Sequence, residues 1–481
     1  MKNINLGACL NFFIFICFAL GIIIGRHFQF FMLFLCLSSA ALLSAIFYHK
    51  RNRPFVFEIS LLLLFVFLGA LWIIPYSFYS LKDFSGTENN FKLKVVSYPI
   101  KQYHRNSFKA HIERAGVYPV CQKVKAADYT LSMQYLNSYA VKGKIRESKY
   151  KKRFFYTLYI KKDSGLHELP LKLIDRLKIK ITASLLNLFE RNTSPEAFSF
   201  LSSVFLGRRE FLGGQREIFQ RAGASHLLAI SGLHIGLSAF ILVFFLRSLH
   251  LNYRASLAAS LIFLICYTIL TGASASTVRA VIMYLVFAIS FFAESKTNPF
   301  NSLGLAGFVS LLVNPEALFE VGFQLSFLAV GAIILGFSFF PLKASRSPVA
   351  NYLKHIFVSS LWVALFITPL VSYYFGRVYI LSPAFNIIFI PFFTAILTVN
   401  FLMIMLSPIP YFAASIGAVI SLLIKIFIAS ARFLGSLRFS AFPYTFTLKG
   451  MTLYYFFLLL LFFSVKHAFI WLSLKGKLIR K

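Results

Sequence analysis

From about residue 226 to residue 473 the chain is a succession of apolar runs, each close to the length that crosses a bilayer as a helix, joined by short polar links. The approximate runs are 226–246, 255–271, 276–293, 299–314, 321–341, 355–375, 380–407, 411–434 and 450–473. Others precede them at about 6–25, 28–48 and 55–75. Backbone in hydrocarbon must satisfy its own hydrogen bonds, so runs of this kind fold as helices packed on helices. A composition of 58% hydrophobic residues with mean hydropathy +0.74 excludes a soluble domain with an ordinary core. The predicted fold class is a polytopic α-helical membrane protein of about 10–12 spans with a small inserted β domain. Pro383, Asn386 and Pro391 inside 380–407 predict a broken or re-entrant helix there. The first run has no small-residue cleavage site after it and reads as a retained anchor.

Charge orients these runs. Lys and Arg number 49 against 16 Asp and Glu, a formal charge of +33. The loop His49-Lys-Arg-Asn-Arg53, then Arg247 and Arg254, Lys296, Lys343, Arg346 and Lys354, and the tail Lys475–Lys481 all fall on the cytoplasmic side if residues 76–170 lie outside. An excess this large also implies a polyanionic partner, either anionic membrane lipid or nucleic acid. Of the cysteines, Cys9, Cys17, Cys36 and Cys266 fall in apolar runs and only Cys121 lies in the polar region, so no disulfide is available there.

The domain boundaries predicted are 1–75 for N-terminal helices, 76–170 for an extracytoplasmic β domain, 171–225 for amphipathic surface helices and 226–475 for the main helical domain. Within 76–170, Phe91–Tyr98, Tyr139–Ile145, Phe154–Ile160 and parts of Val124–Tyr135 alternate with period two, which suits a small barrel or sandwich. A five-stranded barrel of the oligonucleotide-binding (OB) type is one candidate. Its cations recur beside aromatics, and Lys101, Arg105, Lys109, Lys151, Lys152 and Arg153 are the candidate DNA contacts. Such surfaces hold single strands by phosphate attraction and base stacking. The same pattern also serves a solvated strand edge kept soluble by lysines. Between Leu171 and Ala222 charges interrupt every apolar stretch, so helices lying at the membrane surface are expected.

The 226–246 run is entered through Ala222-Gly-Ala-Ser-His-Leu-Leu-Ala-Ile-Ser-Gly-Leu-His-Ile-Gly-Leu237. Polar groups are costly in hydrocarbon and face either a water-filled path or one another. His226, Ser231 and His234, with Arg279, Gln324, Arg377 and Asn386, are therefore the candidate channel-lining residues of a conduit. His226 and His234 are eight residues apart, about 80° around a helix, so both would face one cavity, with Ser225 as the helix cap. Interhelical hydrogen bonding fits the same spacing. Arg279 either snorkels to the interface or presents its guanidinium to phosphate. Two imidazoles without a nearby carboxylate are too few for a metal, and no acid orients either histidine for serine hydrolysis. No catalytic residue, metal or cofactor is expected.

Leu206-Gly-Arg208, the His226–Leu237 stretch, Thr271-Gly-Ala-Ser274 with Val278-Arg-Ala280, Asn314-Pro315 with Gly322-Phe-Gln-Leu-Ser-Phe-Leu-Ala-Val330, and Tyr374-Phe-Gly-Arg377 followed by Asn386 occur in order. In these motifs the chain resembles the ComEC family of competence proteins, inner-membrane channels through which bacteria import transforming DNA. The resemblance implies a multi-pass protein of the bacterial inner membrane, an outward OB-type domain and single-stranded DNA as substrate. It also implies a separate DNA receptor and a helicase-like ATPase, since no Gly-x-x-x-x-Gly-Lys-Ser/Thr loop is present. Many members carry a C-terminal metallo-β-lactamase-like domain. No His-x-His-x-Asp-His cluster occurs here, so a separate nuclease or none is expected and the chain is read as a channel and not an enzyme. Arg208-Arg209 departs from the acidic residue common after Leu-Gly in the family. The rival reading is a transporter or scaffold for another anionic substrate, such as a lipid headgroup or polysaccharide precursor.

Overall fold

A computed structural model gives the architecture. It describes residues 10–464 with interruptions, the longest being most of 29–53 and all of 78–83, 129–132, 161–166, 295–297 and 343–346. The expected second span, the His49–Arg53 loop, Lys151, Lys152, Lys296, Lys343, Arg346 and the tail from Lys475 lie wholly or largely outside the described residues. The chain divides into two compact units, one of residues 1–215, 227–320 and 396–425, the other of residues 216–226, 321–395 and 426–481.

Helices dominate both units. Helices α1 (Leu10–Phe28) and α2 (Pro54–Ser77) precede a strand-rich segment, and α3 (Leu173–Asn192), α4 (Pro195–Val204) and α5 (Gln215–Arg221) follow it. Then come α6 (Gly232–Ser248), α7 (Tyr253–Leu270), α8 (Ala275–Phe292), α9 (Pro299–Val313), α10 (Val321–Phe339), α11 (Pro348–Phe375), α12 (Ser382–Met405) and α13 (Pro410–Ser436). Six described helices have the length and apolar composition to cross a membrane, and shorter apolar helices cover Leu10–Arg26, Ile59–Ile73, Gly232–Ser248 and Pro299–Val313. This is a multi-pass membrane protein.

Local sequence sets the helix starts. Asn252, Ser274, Asn298 and Ser347 each accept a hydrogen bond from a backbone N–H in the first turn of α7, α8, α9 and α11. Small residues let spans approach closely. Gly21 and Gly25 of α1 lie against the backbone of Val66 and Ala70 in α2, where any Cβ would collide.

The strand-rich segment is a closed barrel. Its strands are β1 (Glu88–Val95), β2 (Ile100–Gln102), β3 (Arg105–Ala115), β4 (Tyr118–Asp128), β5 (Ser138–Tyr150), β6 (Arg153–Ile160) and β7 (His167–Leu169). The order β1-β3-β4-β6-β5 closes because β5 also pairs with β1, and β4 and β6 run parallel while the other pairs are antiparallel. Taken as five barrel strands in chain order this is 1-2-3-5-4-1, the connectivity of an OB fold. Alternate residues fill the interior, among them Phe91, Leu93 and Val95 of β1 and Leu158 and Ile160 of β6. Strand β3 was not among the strands expected from sequence. Its alternation of Phe108, Ala110 and Ile112 is diluted by a small alanine and by charges on the facing positions.

Two expectations are corrected. The 380–407 run is one continuous helix, α12, and not a broken one. Pro383 occupies the first turn, where an N–H has no intrahelical partner, and Pro391 is absorbed within the helix. Ser225 does not cap the helix that follows; it begins a 3-10 turn, Ser225–Leu228, and Ser231 is the N-cap of α6.

Within the second unit α11 shows how a mid-helix proline is accommodated. Pro369 has no N–H for the carbonyl of Leu365, four residues back. The Tyr454 hydroxyl donates to that carbonyl at 3.0 Å, and Tyr455 donates to the neighbouring Phe366 carbonyl at 2.7 Å. Tyr454→Phe should therefore orphan a buried acceptor and lower stability by about 1–3 kcal/mol, whereas in a Pro369→Ala background, with the helical N–H restored, the loss should shrink to a few tenths. Thermal unfolding of the four proteins checks this, and an equal loss in both backgrounds would refute the link.

Candidate functional site

The start of α6 is built around a histidine. Ser231 is the N-cap, and His234, at the third helical position, accepts the Ser231 N–H at Nδ1 (3.0 Å), with the Ser231 hydroxyl 2.9 Å from the same nitrogen. Histidine here takes the part that Glu or Gln plays in a capping box. His234 is buried and Ser231 is half-buried. His226 is exposed and sits in the 3-10 turn before the helix, so the expectation of two histidines on one helical face is corrected. Ser231 interrupts the run, and the helix begins at Gly232.

Arg279 faces this start from the next helix but one. Its Nη2 lies 3.4 Å from where a Cβ on Gly232 would be, and Ala280 also packs there. The Arg279 side chain reaches Ser276 Oγ at 3.5 Å, and the residue is only 5% exposed. It therefore does not snorkel outward but stays in the first turns of α8, beside the first turn of α6. Helix N-termini carry partial positive charge, and a guanidinium between two of them makes a locally electropositive corner suited to an anion. The adjoining residues Gly272, Ala273 and Ser274 are exposed.

The Leu206-Gly-Arg208 turn belongs to the same end of the bundle. Gly207 has φ +74°, and a Cβ there would sit 3.2 Å from the Thr271 carbonyl and 3.3 Å from the Ile230 side chain. Nearby, the Tyr267 hydroxyl donates to the Phe205 carbonyl at 2.7 Å. Arg208 then leaves the bundle for the barrel. Its guanidinium stacks 4.0 Å over the Tyr135 ring and donates to the Tyr135 hydroxyl. The barrel thus adjoins the end where α6 and α8 begin. The opposite end carries Arg247 and Arg254, where the Tyr253 and Phe291 rings meet edge to face at 4.8 Å, about 25 Å away along α6.

The remaining polar residues expected to line a conduit lie in the second unit and make bonds there. Gln324 accepts the Tyr374 hydroxyl at 3.0 Å, and Asn386 donates to Ser360 Oγ at 3.1 Å. Arg377 is half-buried in β8 (Arg377–Val378), paired with β9 (Phe442–Pro443).

On the barrel, the described candidates Lys101, Arg105 and Arg153 border the connections between barrel strands one and two and four and five. Lys101 is in β2, within the first of these connections, and Arg105 opens β3. Arg153 opens β6, and Lys151 and Lys152 lie outside the described residues. Between them runs a cation ladder that the sequence reading did not foresee. Exposed Lys109 on β3 lies directly opposite exposed Lys125 on β4, and His111 lies opposite Lys123. Two lysines directly opposite one another, Lys109 and Lys125, make this face of the barrel cationic. Only strand pairing could reveal that juxtaposition. Among the described residues no group of three His, Cys, Asp or Glu side chains could hold a metal.

The competence-protein family model matches residues 205–468, from Phe205 beside the Leu206-Gly-Arg208 turn through the helices that follow. The chain belongs to that family. Its members include relatives at modest identity. ComE operon protein 3 of Bacillus subtilis is 31% identical over 42% of this chain and 25% of its own length. Recombination protein 2 of Haemophilus influenzae is 27% identical over 41% of this chain and 27% of its own. Competence protein ComA of Neisseria gonorrhoeae is 28% identical over 38% and 27%. The chain thus spans about a quarter of the length of these curated relatives. No solved structure matches it.

The tight turn at Gly207 is the most stringent steric demand at this end. Gly207→Ala should cost about 1–2 kcal/mol through its left-handed backbone and the Thr271 contact, while Gly214→Ala, with nothing within 4 Å, should be near neutral. Comparable melting temperatures for the two variants would contradict the packing described.

Proposed function

We propose that this competence-family member is a channel that carries single-stranded DNA across the bacterial inner membrane during natural transformation. The observation that carries the reading is an OB-type barrel, cationic on its β3–β4 face, joined through Tyr135 and Arg208 to the end of the helical bundle where Arg279 sits beside the starts of α6 and α8. The relatives it resembles, a competence protein among them, point to the same process. The barrel faces outward and the Arg247 end inward, in keeping with the excess of cations in cytoplasmic loops.

In this mechanism the barrel gathers the strand by phosphate attraction, with base stacking on the aromatics beside Lys101, Arg105, Lys109, Lys151, Lys152 and Arg153. Phosphates cannot enter hydrocarbon unpaired, so the passage needs a hydrated lining with few cations. Ser231, His234 and Arg279 supply it in the first unit, with the His234 imidazole holding Ser231 and the α6 start in shape. His226, Gln324, Arg377 and Asn386 are the lining residues of the second. Sparse cations let the strand leave as readily as it enters. A separate receptor and a helicase-like ATPase would act with this chain, with a separate nuclease or none.

Two measurements test the reading. Arg279→Gln should lower transformation about tenfold, the worth of one charge-assisted phosphate bond, at unchanged levels of inserted protein. Lys109→Glu with Lys125→Glu should weaken oligonucleotide binding and flatten its dependence on log salt by about 1.4, two phosphate contacts' worth for a single strand. Normal transformation in the first and an unaltered slope in the second would point instead to another anionic cargo.

A further inference from the structure

Helix α3 carries three kinds of face. One is buried, with Thr182 and Phe189 fully covered. A second is apolar and exposed, with Ile174, Leu177 and Ile181. The third is polar and exposed, where Arg176, Lys180, Ser184, Asn187 and Arg191 recur every three or four residues and so form one stripe along the helix. These five residues are all cationic or neutral. The first turn of α3 adjoins the barrel, where Asp175 pairs with Lys94 of β1 at 2.5 Å.

The far end of α3 is seated against the interior of a span. A Cβ on Gly417 of α13 would collide with the Asn192 carbonyl, and the Ser194 N–H donates to Ser421 Oγ at 2.9 Å. Gly417 and Ser421 lie about 10 and 16 Å along α13 from Pro410, and about 28 and 22 Å from Ser436. Helix α13 is about 40 Å long, against about 30 Å of hydrocarbon in a bilayer. Exposed Tyr411 and Phe412 supply interfacial aromatics at its start. Both seats therefore fall inside the hydrocarbon layer. The turn from α3 to α4 is built for that depth. Thr193 N–H donates to the Phe189 carbonyl at 2.9 Å, Ala197 N–H donates to Ser194 Oγ at 3.3 Å, and Pro195 has no N–H to satisfy. Backbone within a bilayer must find such partners in the protein.

Arg191 is exposed immediately before Asn192, and Asn187 is exposed about one turn earlier. Charged groups at this depth are too costly to leave in lipid, so they face water. We propose that α3 dips into the bilayer and that its polar stripe is one wall of a water-filled passage, along which the phosphates of the strand move from the barrel to the α3–α4 turn. Ile174, Leu177 and Ile181 meet lipid beside it. Lys180 and Arg191 are about 16 Å apart along the helix with neutral Ser184 and Asn187 between them, so phosphates are held at spaced points and not trapped. The strand as occupant rests on the DNA-import reading above; the depth of the turn and its wet face do not.

The test uses the full chain in phosphatidylcholine nanodiscs, with its five cysteines replaced by alanine and a nitroxide attached at Asn187→Cys or at Leu422→Cys. Both positions are exposed, and Leu422 adjoins the Ser421 seat. Relaxation by oxygen, which enters lipid, and by a polar nickel chelate, which does not, reads depth and wetness. The Leu422 label should report hydrocarbon depth, and the Asn187 label should collide with the chelate at least about tenfold more often. A Leu422 label at headgroup depth would place the turn at the membrane surface and overturn the proposal. A chelate-inaccessible Asn187 label would make the stripe dry and overturn it equally. A single-stranded oligonucleotide should then shield the Asn187 label, and half-shielding should need about tenfold more oligonucleotide after Arg191→Gln. If the chelate reaches Asn187 and the oligonucleotide binds the protein without shielding it, the strand does not follow α3 and that assignment is overturned. If the oligonucleotide does not bind at all, the wet face stands and the DNA-import reading falls.

Discussion

Inside hydrocarbon a backbone N–H or C=O has no water to turn to, and much of this fold follows from that one constraint. Each span answers it first with the helical ladder and then with side chains at the ladder's gaps. Asparagine and serine caps take up N–H groups at the starts of α7, α8, α9 and α11. His234 does the same for α6. Where Pro369 opens a gap in α11, the Tyr454 hydroxyl closes it from a segment 85 positions further along the chain, since the bond runs to Leu365 across 89 residues. Serine and threonine hydroxyls bond back to carbonyls one turn earlier, as Ser310 does to Ala306 at 2.6 Å and Thr368 to Ala364 at 2.6 Å. Polar residues in the spans are thus mostly spoken for, and Arg279 is a cation buried beside the starts of α6 and α8.

Charge is arranged by the same economy. With 49 basic residues against 16 acidic ones, most cations have no acid to meet. Many sit at helix ends or on the barrel surface, where water screens them. Two positions stand out: Arg279 beside the starts of α6 and α8, and the Lys109–Lys125 rung, where strand register sets two lysines opposite one another. Both belong to the unit that contains the barrel. A phosphate polymer would meet both with one chemistry, which is why the barrel and the bundle end form one functional proposal.

Much of the class was legible from residue types alone. The apolar runs gave α1, α2 and α6 through α13 to within about seven residues at either end, because hydropathy in a membrane protein is a direct consequence of where the segment sits. The basic and aromatic clusters of the β domain were also visible. Misreadings arose where a local signal had a non-local answer. Pro383 and Pro391 look like helix breakers, yet one is harmless in a first turn and the other is tolerated within α12. His226 and His234 look like one face of a helix, yet Ser231 starts that helix between them. Strand β3 hides because the period-two signal is carried by Phe108, Ala110 and Ile112, of which only two are large.

The sequence by itself determined that this chain is a cationic, multi-pass helical protein with one strand-rich insert, since composition and period depend only on which solvent each residue must face. Tertiary structure alone decided that β5 closes the barrel onto β1, that Lys109 meets Lys125, and that Arg208 leaves its own turn to lie on Tyr135. Those outcomes depend on register and on contacts between residues far apart in the chain. No local pattern encodes them, because the energy of a charge or a ring is set by what packs beside it.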